Sequence, residues 1–357
     1  MYLLPFCGKD AEINYAVFSP PKSGENTSLY GFFLKGAKPR MSKKEILSRL
    51  FQMLIVLVGI SFLTFLLTYI SPGDPVRNMY LANGMMPDEQ QVAITREEMG
   101  LNDPFLEQYG RWAINCLKGD FGKSYSLNKP VADLLAARLL PTMKLALAAM
   151  VIMLVVSIPL GILSAVYKDK PIDYIVRGLT FFGVSIPNFW AGLLLILLFC
   201  VQLKLLPVVS SSGTFKDLIL PAVTLALAMS AKYTRQVRAA VLDELNSDYV
   251  IGAKARGVAG WRILWLNVLP NSMLPLITLF GLSIGSLLGG TSVVEVIFSY
   301  PGLGNLAVSA ITSYDYNLIQ GYVLWISVIY MAVNLIVDIS YKFIDPRVRL
   351  RTDTARR

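Results

Sequence analysis

Three short runs in this sequence have the residue types and spacing of chemical motifs. Gly122-Lys123-Ser124 matches the end of a phosphate-binding loop, but that loop also needs a glycine at position 117, where the chain has Leu117. Asp120-Phe121-Gly122 has the letters of a magnesium-binding kinase motif, and its companion motifs are missing. Gly281-Leu282-Ser283-Ile284-Gly285 has the spacing of a nucleophile elbow, which needs a strand-to-helix turn, yet it lies in an apolar run. We interpret the first two as a surface turn and the third as a coincidence.

Other reactive side chains are scarce. The sequence contains no histidine, which is the most common general base and transition-metal ligand. The three cysteines, Cys7, Cys116 and Cys200, are far apart and form no metal or redox motif. The acidic pairs Asp88-Glu89 and Glu97-Glu98 are interpreted as solvated helix faces, with a metal or catalytic site as the alternative. The residues therefore do not favour an enzyme, a resident metal or a cofactor in this chain.

The composition predicts an all-α integral membrane protein. Of the 357 residues, 54% are hydrophobic and 16% are charged, and the mean hydropathy is +0.54. A soluble domain carries about 25% charged residues. A helix needs about 20 apolar residues to cross a bilayer. Five runs meet this length, and a sixth begins near Leu218, is apolar to Ala231, and continues as a basic helix that carries Lys232, Arg235 and Arg238. The five runs are Leu50–Ile70, Leu145–Val166, Ile175–Leu203, Leu276–Ile297 and Leu318–Ile339.

The positions of the basic residues predict the orientation. If the chain crosses six times, 23 of its 33 Lys and Arg residues lie on the side that holds both termini. The long opposite segment, 71–140, has 7 basic and 9 acidic residues. Lys and Arg accumulate in cytoplasmic loops, so both termini are predicted to be cytoplasmic. This distribution also argues against nucleic acid as a partner, although the net charge is +9.

The chain divides into parts of different character. Residues 1–40 lack an apolar period and are predicted to be a disordered leader or extension, before a basic run at Ser42-Lys43-Lys44. The predicted parts are a first transmembrane helix at 41–71, an external segment at 72–140, a five-helix core at 141–345 with a cytoplasmic loop at 240–270, and a cytoplasmic tail at 346–357.

Small residues mark two further features. Gly281, Gly285 and Gly289 recur every four residues, with Ser286 beside them, and this strip would let another helix pack closely or slide against it. In the cytoplasmic loop, the run from Asp248 to Val258 is rich in Ala and Gly and predicts a short helix with a low profile, suited to a groove on a soluble partner. An ordinary amphipathic loop helix is the alternative. Glu295 near one span end is a functional candidate, with capping or snorkelling as alternatives.

This loop resembles the EAA motif of permease subunits of ATP-binding-cassette importers, which reads E-A-A, three residues, Gly, nine residues and I-x-L-P. Alignment on Gly257 places Ile251-Gly252-Ala253 at the triplet and Leu269-Pro270 at the end, so the Glu is missing and Asn267 replaces the Ile. The resemblance extends over residues 42–350 and is similar to the dipeptide, oligopeptide and nickel branch. The further matching segments are Ser71-Pro72-Gly73-Asp74-Pro75, Gly100-Leu101-Asn102-Asp103-Pro104, Pro187-Asn188-Phe189-Trp190, Phe298-Ser299-Tyr300-Pro301-Gly302-Leu303-Gly304, Asp315-Tyr316 and Asp345-Pro346-Arg347-Val348-Arg349.

The resemblance implies the first of two related permeases of a type I importer, with six transmembrane helices in a MetI-like fold in the bacterial inner membrane. Its implied partners are a second homologous permease, two cytoplasmic ATPase subunits that bind ATP and Mg, an external substrate-binding protein and membrane lipid. The implied ATPase-coupling residues are Asp248, Tyr249, Gly252, Ala253, Ala255, Gly257, Leu269 and Pro270. The candidates for a pathway or sliding surface are Asn188, Trp190, Gly281, Gly285, Ser286 and Gly289.

The cargo and two other protein classes stay open. Nickel or other metal chelates and di- or oligopeptides share these motifs, and the absence of His argues only against a side-chain relay for a naked metal ion. An ATP-independent secondary transporter or channel would need charged groups or a filter inside the membrane, whereas the apolar runs are nearly free of ionisable residues. A structural membrane protein would not need the coupling loop.

Overall fold

The computed structural model describes residues 43–82, 84–209 and 214–344, and these are helical apart from turns and one isolated antiparallel bridge between Lys123 and Pro130. The predicted leader at 1–40 and tail at 346–357 lie outside the described residues. The α-helices are α1 Lys43–Ile70, α2 Pro75–Ala82, α3 Glu89–Glu98, α4 Phe105–Leu117, α5 Val131–Val166, α6 Pro171–Ser185, α7 Asn188–Leu195, α8 Phe215–Leu245, α9 Asp248–Ala255, α10 Gly260–Ile263, α11 Leu269–Gly290, α12 Ser292–Ile297, α13 Leu303–Thr312 and α14 Tyr316–Ile344. Two π-helical stretches, Ile196–Gln202 and Leu264–Val268, continue α7 and α10.

The predicted apolar runs form helices, but not all of them pass as membrane spans. Three helical stretches of the described residues are long and apolar enough to cross a membrane, Leu47–Ile70, Val131–Val166 and Tyr316–Val337. A fourth is obtained if the bent pair of α6 and α7 is one span. The structure therefore supports membrane character, and the number of six spans stays a prediction.

The predicted span from Ile175 to Leu203 contains Pro187, and the structure divides it there into a bent pair of helices that together are long and apolar enough for one broken span. Helix α6 ends at Ser185, and α7 begins at Asn188 with the chain turned by 101°. Ile186 is extended, with φ −84° and ψ 124°. A residue before proline is pushed out of the α-region, which explains the break. Pro159 and Pro221, in contrast, lie inside α5 and α8 as predicted.

The centre of the fold is the close crossing of α5 and α8. Gly161 of α5 faces Val237 of α8, and a Cβ at position 161 would lie 2.6 Å from the Val237 Cβ and 2.9 Å from the Thr234 carbonyl oxygen. Around this crossing, Ala165, Val237, Val241, Val250 and Ile263 form one buried apolar cluster. The crossing therefore depends on a residue without a side chain, and it connects α5 with the segment that follows α8.

We expect Gly161→Ala to lower the free energy of unfolding by about 1–3 kcal/mol, because the added methyl group would overpack the crossing against a backbone carbonyl. Gly178→Ala in α6 is the matched control, since nothing lies within 4 Å of a Cβ there. Alanine is the better helix former by up to about 1 kcal/mol, so the control is neutral or stabilising. Thermal unfolding of the two purified variants tests this, and equal melting temperatures would contradict the packing.

The glycine strip of α11 packs on α14. A Cβ at Gly281 would lie 2.5 Å from Val337 Cγ1, and one at Gly285 would lie 2.5 Å from Tyr330 Cε2. The close approach that the spacing predicts is therefore present in this chain, between two of its own helices. The side-chain surroundings of Ser286 and Gly289 lie outside the described part of α11.

The candidate Gly122-Lys123-Ser124 leads into a turn at residues 125–127 and not into a phosphate-binding helix. Gly122 has φ +75°, and the Ser124 amide donates to the Lys129 carbonyl oxygen at 2.9 Å. The Ser124 hydroxyl is buried and donates to Asp315 Oδ2 at 2.5 Å, which fastens the turn to the start of α14. The interpretation as a turn is confirmed.

Candidate functional site

The segment that follows α8 reverses direction through a short helix with a glycine stop. Helix α9 begins after Ser247 and ends at Ala255, and Gly257 then takes φ +76°. The Gly257 amide donates to the Lys254 carbonyl oxygen at 2.9 Å, and the Val258 amide donates to the Ala253 carbonyl oxygen at 3.1 Å. These two bonds are those of a Schellman cap, in which glycine takes the left-handed conformation at no steric cost. The alignment position Gly257 is thus a structural requirement for the end of α9.

One face of α9 anchors it to the helical core. Val250 is fully buried and Ala253 is 9% exposed, and both belong to the cluster formed with α8 and α10. Leu269, at the start of α11, is also buried in this cluster. Of the eight predicted coupling residues, Ala253 and Leu269 are therefore anchors within the chain.

The segment also carries exposed apolar side chains. We call this set of residues the α9–α10 face, and it consists of Tyr249, Ile251, Ala255, Val258, Trp261 and Trp265. Ile251 is 59% exposed and Trp261 is 63% exposed. The predicted residues Asp248, Gly257 and Pro270 are also exposed, and Gly252 is half-buried. Sequence reasoning missed both tryptophans, although their spacing of four places them on one side of a helix.

A hydrogen bond fixes Tyr249 on this face. The Tyr249 hydroxyl donates to Glu244 Oε2 at 2.7 Å, and the Ser247 hydroxyl donates to the Glu244 carbonyl oxygen at 2.6 Å. Partial burial, followed by the bond to Glu244, raises the pKa of Tyr249, so the phenol stays protonated and keeps donating near neutral pH. The last turn of α8 is thereby linked to the first turn of α9.

A buried ion pair joins α6 to α8 above this segment. Asp173 is fully buried and accepts from Arg238 Nε and Nη2, each at 2.8 Å, in a bidentate arrangement. The carboxylate also accepts from the Ser164 hydroxyl at 2.5 Å and from the Asp169 amide at 3.0 Å. Such planar pairing favours Arg over Lys. Sequence reasoning assigned Arg238 to orientation alone and missed Asp173, because the pair is separated by 65 residues.

A small cavity holds the predicted pathway residue Asn188. Its volume is about 130 Å³, and Met229, Lys232, Tyr233 and Ser283 are among the residues that line it. Lys232 and Met229 also line a wider cavity of about 640 Å³ with Arg235 and Gln236. Trp190, the other predicted residue of α7, is 46% exposed and does not line either cavity. Asn188 and the strip helix α11 therefore meet at one cavity, while Gly281 and Gly285 face α14.

Glu295 is fully buried and acts as a helix cap. Its Oε1 accepts from the Thr142 hydroxyl at 2.9 Å, and its Oε2 accepts from the Asn305 amide at 2.9 Å, in the first turn of α13. A carboxylate at a helix N-terminus is favoured by the helix dipole. The capping interpretation is confirmed. Within the part of the chain that the structure describes, no group of three or more Cys, Asp or Glu residues is arranged to hold a metal ion.

Comparison with known proteins identifies relatives along nearly the whole chain. The family described as "Binding-protein-dependent transport system inner membrane component" matches residues 157–350. A second family, described as "Binding-prot-dependent transport system membrane comp, N-term", matches residues 43–148. The glutathione transport system permease protein GsiC of Escherichia coli (strain K12) is 36% identical over 306 residues, which cover 86% of this chain and 99% of that protein. The oligopeptide transport system permease protein AppB of Bacillus subtilis (strain 168) is 40% identical over 313 residues, which cover 85% and 98%.

A third relative and a solved structure agree with these matches. The probable D,D-dipeptide transport system permease protein DdpB of Escherichia coli (strain K12) is 34% identical over 328 residues, which cover 84% of this chain and 96% of that protein. An inward-facing structure of the MetNI methionine ABC transporter has a TM-score of 0.50 at 16% identity and covers 59% of this chain and 96% of the matched one, which shows the fold. The chain belongs to the family of binding-protein-dependent ABC importer permeases, and it is a transport subunit of the inner membrane and not an enzyme.

Proposed function

We propose that this chain forms half of the translocation pathway for short peptides that an external binding protein delivers. The observation that carries the proposal is the 34–40% identity, over at least 96% of their length, to relatives named for glutathione, D,D-dipeptide and oligopeptide transport. Nickel or other metal chelates are the competing cargo, because the matched motifs are shared by both branches.

The polar and charged side chains at the Asn188 cavity and its wider neighbour support a peptide cargo on chemical grounds. Lys232 lines both cavities and Arg235 lines the wider one, and neither forms a salt bridge with an acid among the described residues. A peptide carries a terminal carboxylate, which accepts strong hydrogen bonds from such cations. Asn188 and Ser283 add uncharged polar groups suited to peptide bonds. The glycine strip of α11 would shift against α14 as the pathway opens.

The α9–α10 face is proposed to bind a cytoplasmic ATPase subunit. Residues 252, 255 and 257 are Gly or Ala, so few side-chain atoms project from the exposed part of α9. Ile251 and Tyr249 add exposed apolar area there. Helices of this kind bind in grooves of soluble partners. The remaining partners are a second homologous permease and a second ATPase, and the ATPases bind ATP and Mg. ATP closure of the ATPases would switch the permease pair between inward- and outward-facing states through α9.

Binding of the α9–α10 face to a cytoplasmic ATPase requires that this face lies in the cytoplasm. The arrangement we propose has six spans, with both termini in the cytoplasm. It rests on the accumulation of Lys and Arg in the segments that include α9, and on the acidic excess of segment 71–140. The six spans add α8 and α11 to α1, α5, the bent pair α6 and α7, and α14. The same arrangement gives the other proposed parts of the chain, namely the external segment at 72–140, the core at 141–345 with its loop at 240–270, and the tail at 346–357.

Uptake into proteoliposomes that contain the full importer tests the cargo. We expect ATP-dependent uptake of labelled di- or oligopeptide in the presence of the binding protein, and about tenfold less for Lys232→Met, since a hydrogen bond to a charged group is worth about 1.5–3 kcal/mol. Lys216→Met is the control, because Lys216 is exposed at the start of α8. Uptake of a nickel chelate without peptide uptake would contradict the proposal. Uptake without ATP or ATPase subunits would favour a secondary transporter or channel.

A further inference from the structure

A third cavity lies between the end of α1, the helix α4 and the start of α14. Its volume is about 580 Å³, within the range of about 300–1,000 Å³ that is usual for small-molecule sites. Phe65, Tyr69, Trp112, Tyr125 and Tyr316 give it aromatic walls. It shares no lining residue with the two cavities at Lys232 and is a separate site.

Three buried hydrogen-bond donors line this cavity without a partner. Arg96 Nε, Trp112 Nε1 and the Tyr316 hydroxyl are each buried and have no hydrogen bond to any described residue. A buried polar atom left unpaired costs about 1–3 kcal/mol, so a partner from outside the chain is expected. All three groups can donate, and two of them can only donate. The missing partner is therefore rich in acceptors.

Two other polar groups of the wall are already paired. Gln108 Nε2 donates to the carbonyl oxygens of Leu101 and Asp103 at 3.0 and 2.7 Å. Gln320 Nε2 donates to the Thr68 hydroxyl at 2.6 Å. These bonds hold α4 and α14 in place, and the three buried donors remain available to a ligand.

The charges favour an anion. The lining includes the cations Arg96 and Arg111 and the single acid Asp120, whose Oδ1 accepts from the Gly122 amide at 2.9 Å. Arg111 is bound to Asp103 at 2.7 Å, but the contact of Arg96 with Asp74 is longer, at 3.8 Å. The Arg96 Nε takes no part in that contact and is open to an oxyanion, and a phosphate group offers acceptors for all three donors.

The cavity lies at the level where α1 ends in an aromatic cluster. Phe65 and Tyr69 of α1 pack with Phe105, Tyr109 and Trp112 of α4, with ring centroids 5.1–6.1 Å apart. Trp and Tyr gather at the membrane–water interface, where lipid headgroups lie. The aromatic cluster therefore places the cavity at the depth of the lipid headgroups.

We propose that this cavity binds the phosphate headgroup of an anionic phospholipid, with Arg96, Trp112 and Tyr316 as its hydrogen-bond donors. A phospholipid headgroup and free inorganic phosphate both offer this phosphate group, and the experiment below distinguishes the two. The proposed lipid site rests on the proposed function in one respect, because that function places the end of α1 at the outer membrane surface. Lipid binding is measured without transport, so it can fail while peptide uptake persists.

Native mass spectrometry of the delipidated importer in detergent, titrated with phosphatidylglycerol, tests the site. We expect saturable binding that Trp112→Phe, Tyr316→Phe and Arg96→Gln each weaken about tenfold, because each removes one donor to a charged group. Tyr316→Phe keeps the aromatic ring, and Trp112→Phe keeps a smaller aromatic side chain at that position. Tyr174→Phe is the control, since Tyr174 is 58% exposed on α6 and far in sequence from the cavity residues.

Three further ligands, diacylglycerol, inorganic phosphate and a dipeptide, identify what the site recognises. Diacylglycerol with the same chains is expected not to bind at this site, because it lacks the phosphate. Binding of diacylglycerol equal to that of phosphatidylglycerol would overturn the proposal, as would equal affinities of the three variants and the control. If inorganic phosphate binds the site in preference to the lipid, the proposal is overturned in favour of a site for a free anion. If a dipeptide displaces the lipid, it is overturned in favour of a cargo subsite.

Discussion

Asp173→Asn is expected to lower the free energy of unfolding by about 3–5 kcal/mol, which is the usual cost of removing one partner of a buried ion pair. The Asp173 carboxylate is fully buried and accepts both bonds of the Arg238 guanidinium at 2.8 Å. Arg238 is only 20% exposed, so the substitution leaves its charge poorly solvated and without a carboxylate. Thermal unfolding of the purified chain in detergent measures the effect.

Two further variants separate the ion pair from its surroundings. Asp243→Asn is the matched control on α8, because Asp243 is exposed, and its melting temperature is expected to be that of the unmodified chain. The double variant Asp173→Leu with Arg238→Met is expected to be more stable than Asp173→Asn, since an apolar pair leaves no buried charge. Equal melting temperatures for Asp173→Asn and Asp243→Asn would show that the pair does not stabilise the fold.

Ala255→Trp is expected to reduce ATP-driven uptake at least thirtyfold while the chain stays folded. Ala255 is exposed in the last turn of α9, so the indole does not disturb the core. It would stand where a low profile is needed to enter a groove, and the loss of about 2 kcal/mol at a central contact corresponds to roughly thirtyfold weaker binding. Co-purification of the ATPase subunits with the permease, together with uptake, measures the effect.

The control for this prediction introduces the same Ala-to-Trp substitution at an exposed position outside the α9–α10 face. Ala93 is exposed on α3 in the segment that is predicted to be external, and Ala93→Trp is expected to leave ATPase binding unchanged. The melting temperature of Ala255→Trp should equal that of the unmodified chain, which separates lost docking from misfolding. Normal ATPase binding by Ala255→Trp would contradict the role of the α9–α10 face.

The sequence by itself determined where most of the helices lie. Apolar runs of sufficient length became α1, α5 and α14, because a long apolar segment has to satisfy its own backbone hydrogen bonds. Local signals also sufficed for the glycine stop at Gly257, whose φ of +76° an L side chain rarely adopts. The family was recognisable from the combination of loop motifs, and the comparisons confirmed it.

Only the tertiary structure decided how distant residues meet. The 101° break at Pro187 could not be distinguished from the tolerated prolines at 159 and 221, since all three stand in similar apolar runs. Asp173 meets Arg238 across 65 residues, and Glu295 meets Thr142 across 153. No local period encodes such pairs, because a buried charge is stabilised by whichever element packs against it. The partners of a buried polar group therefore have to be found in three dimensions.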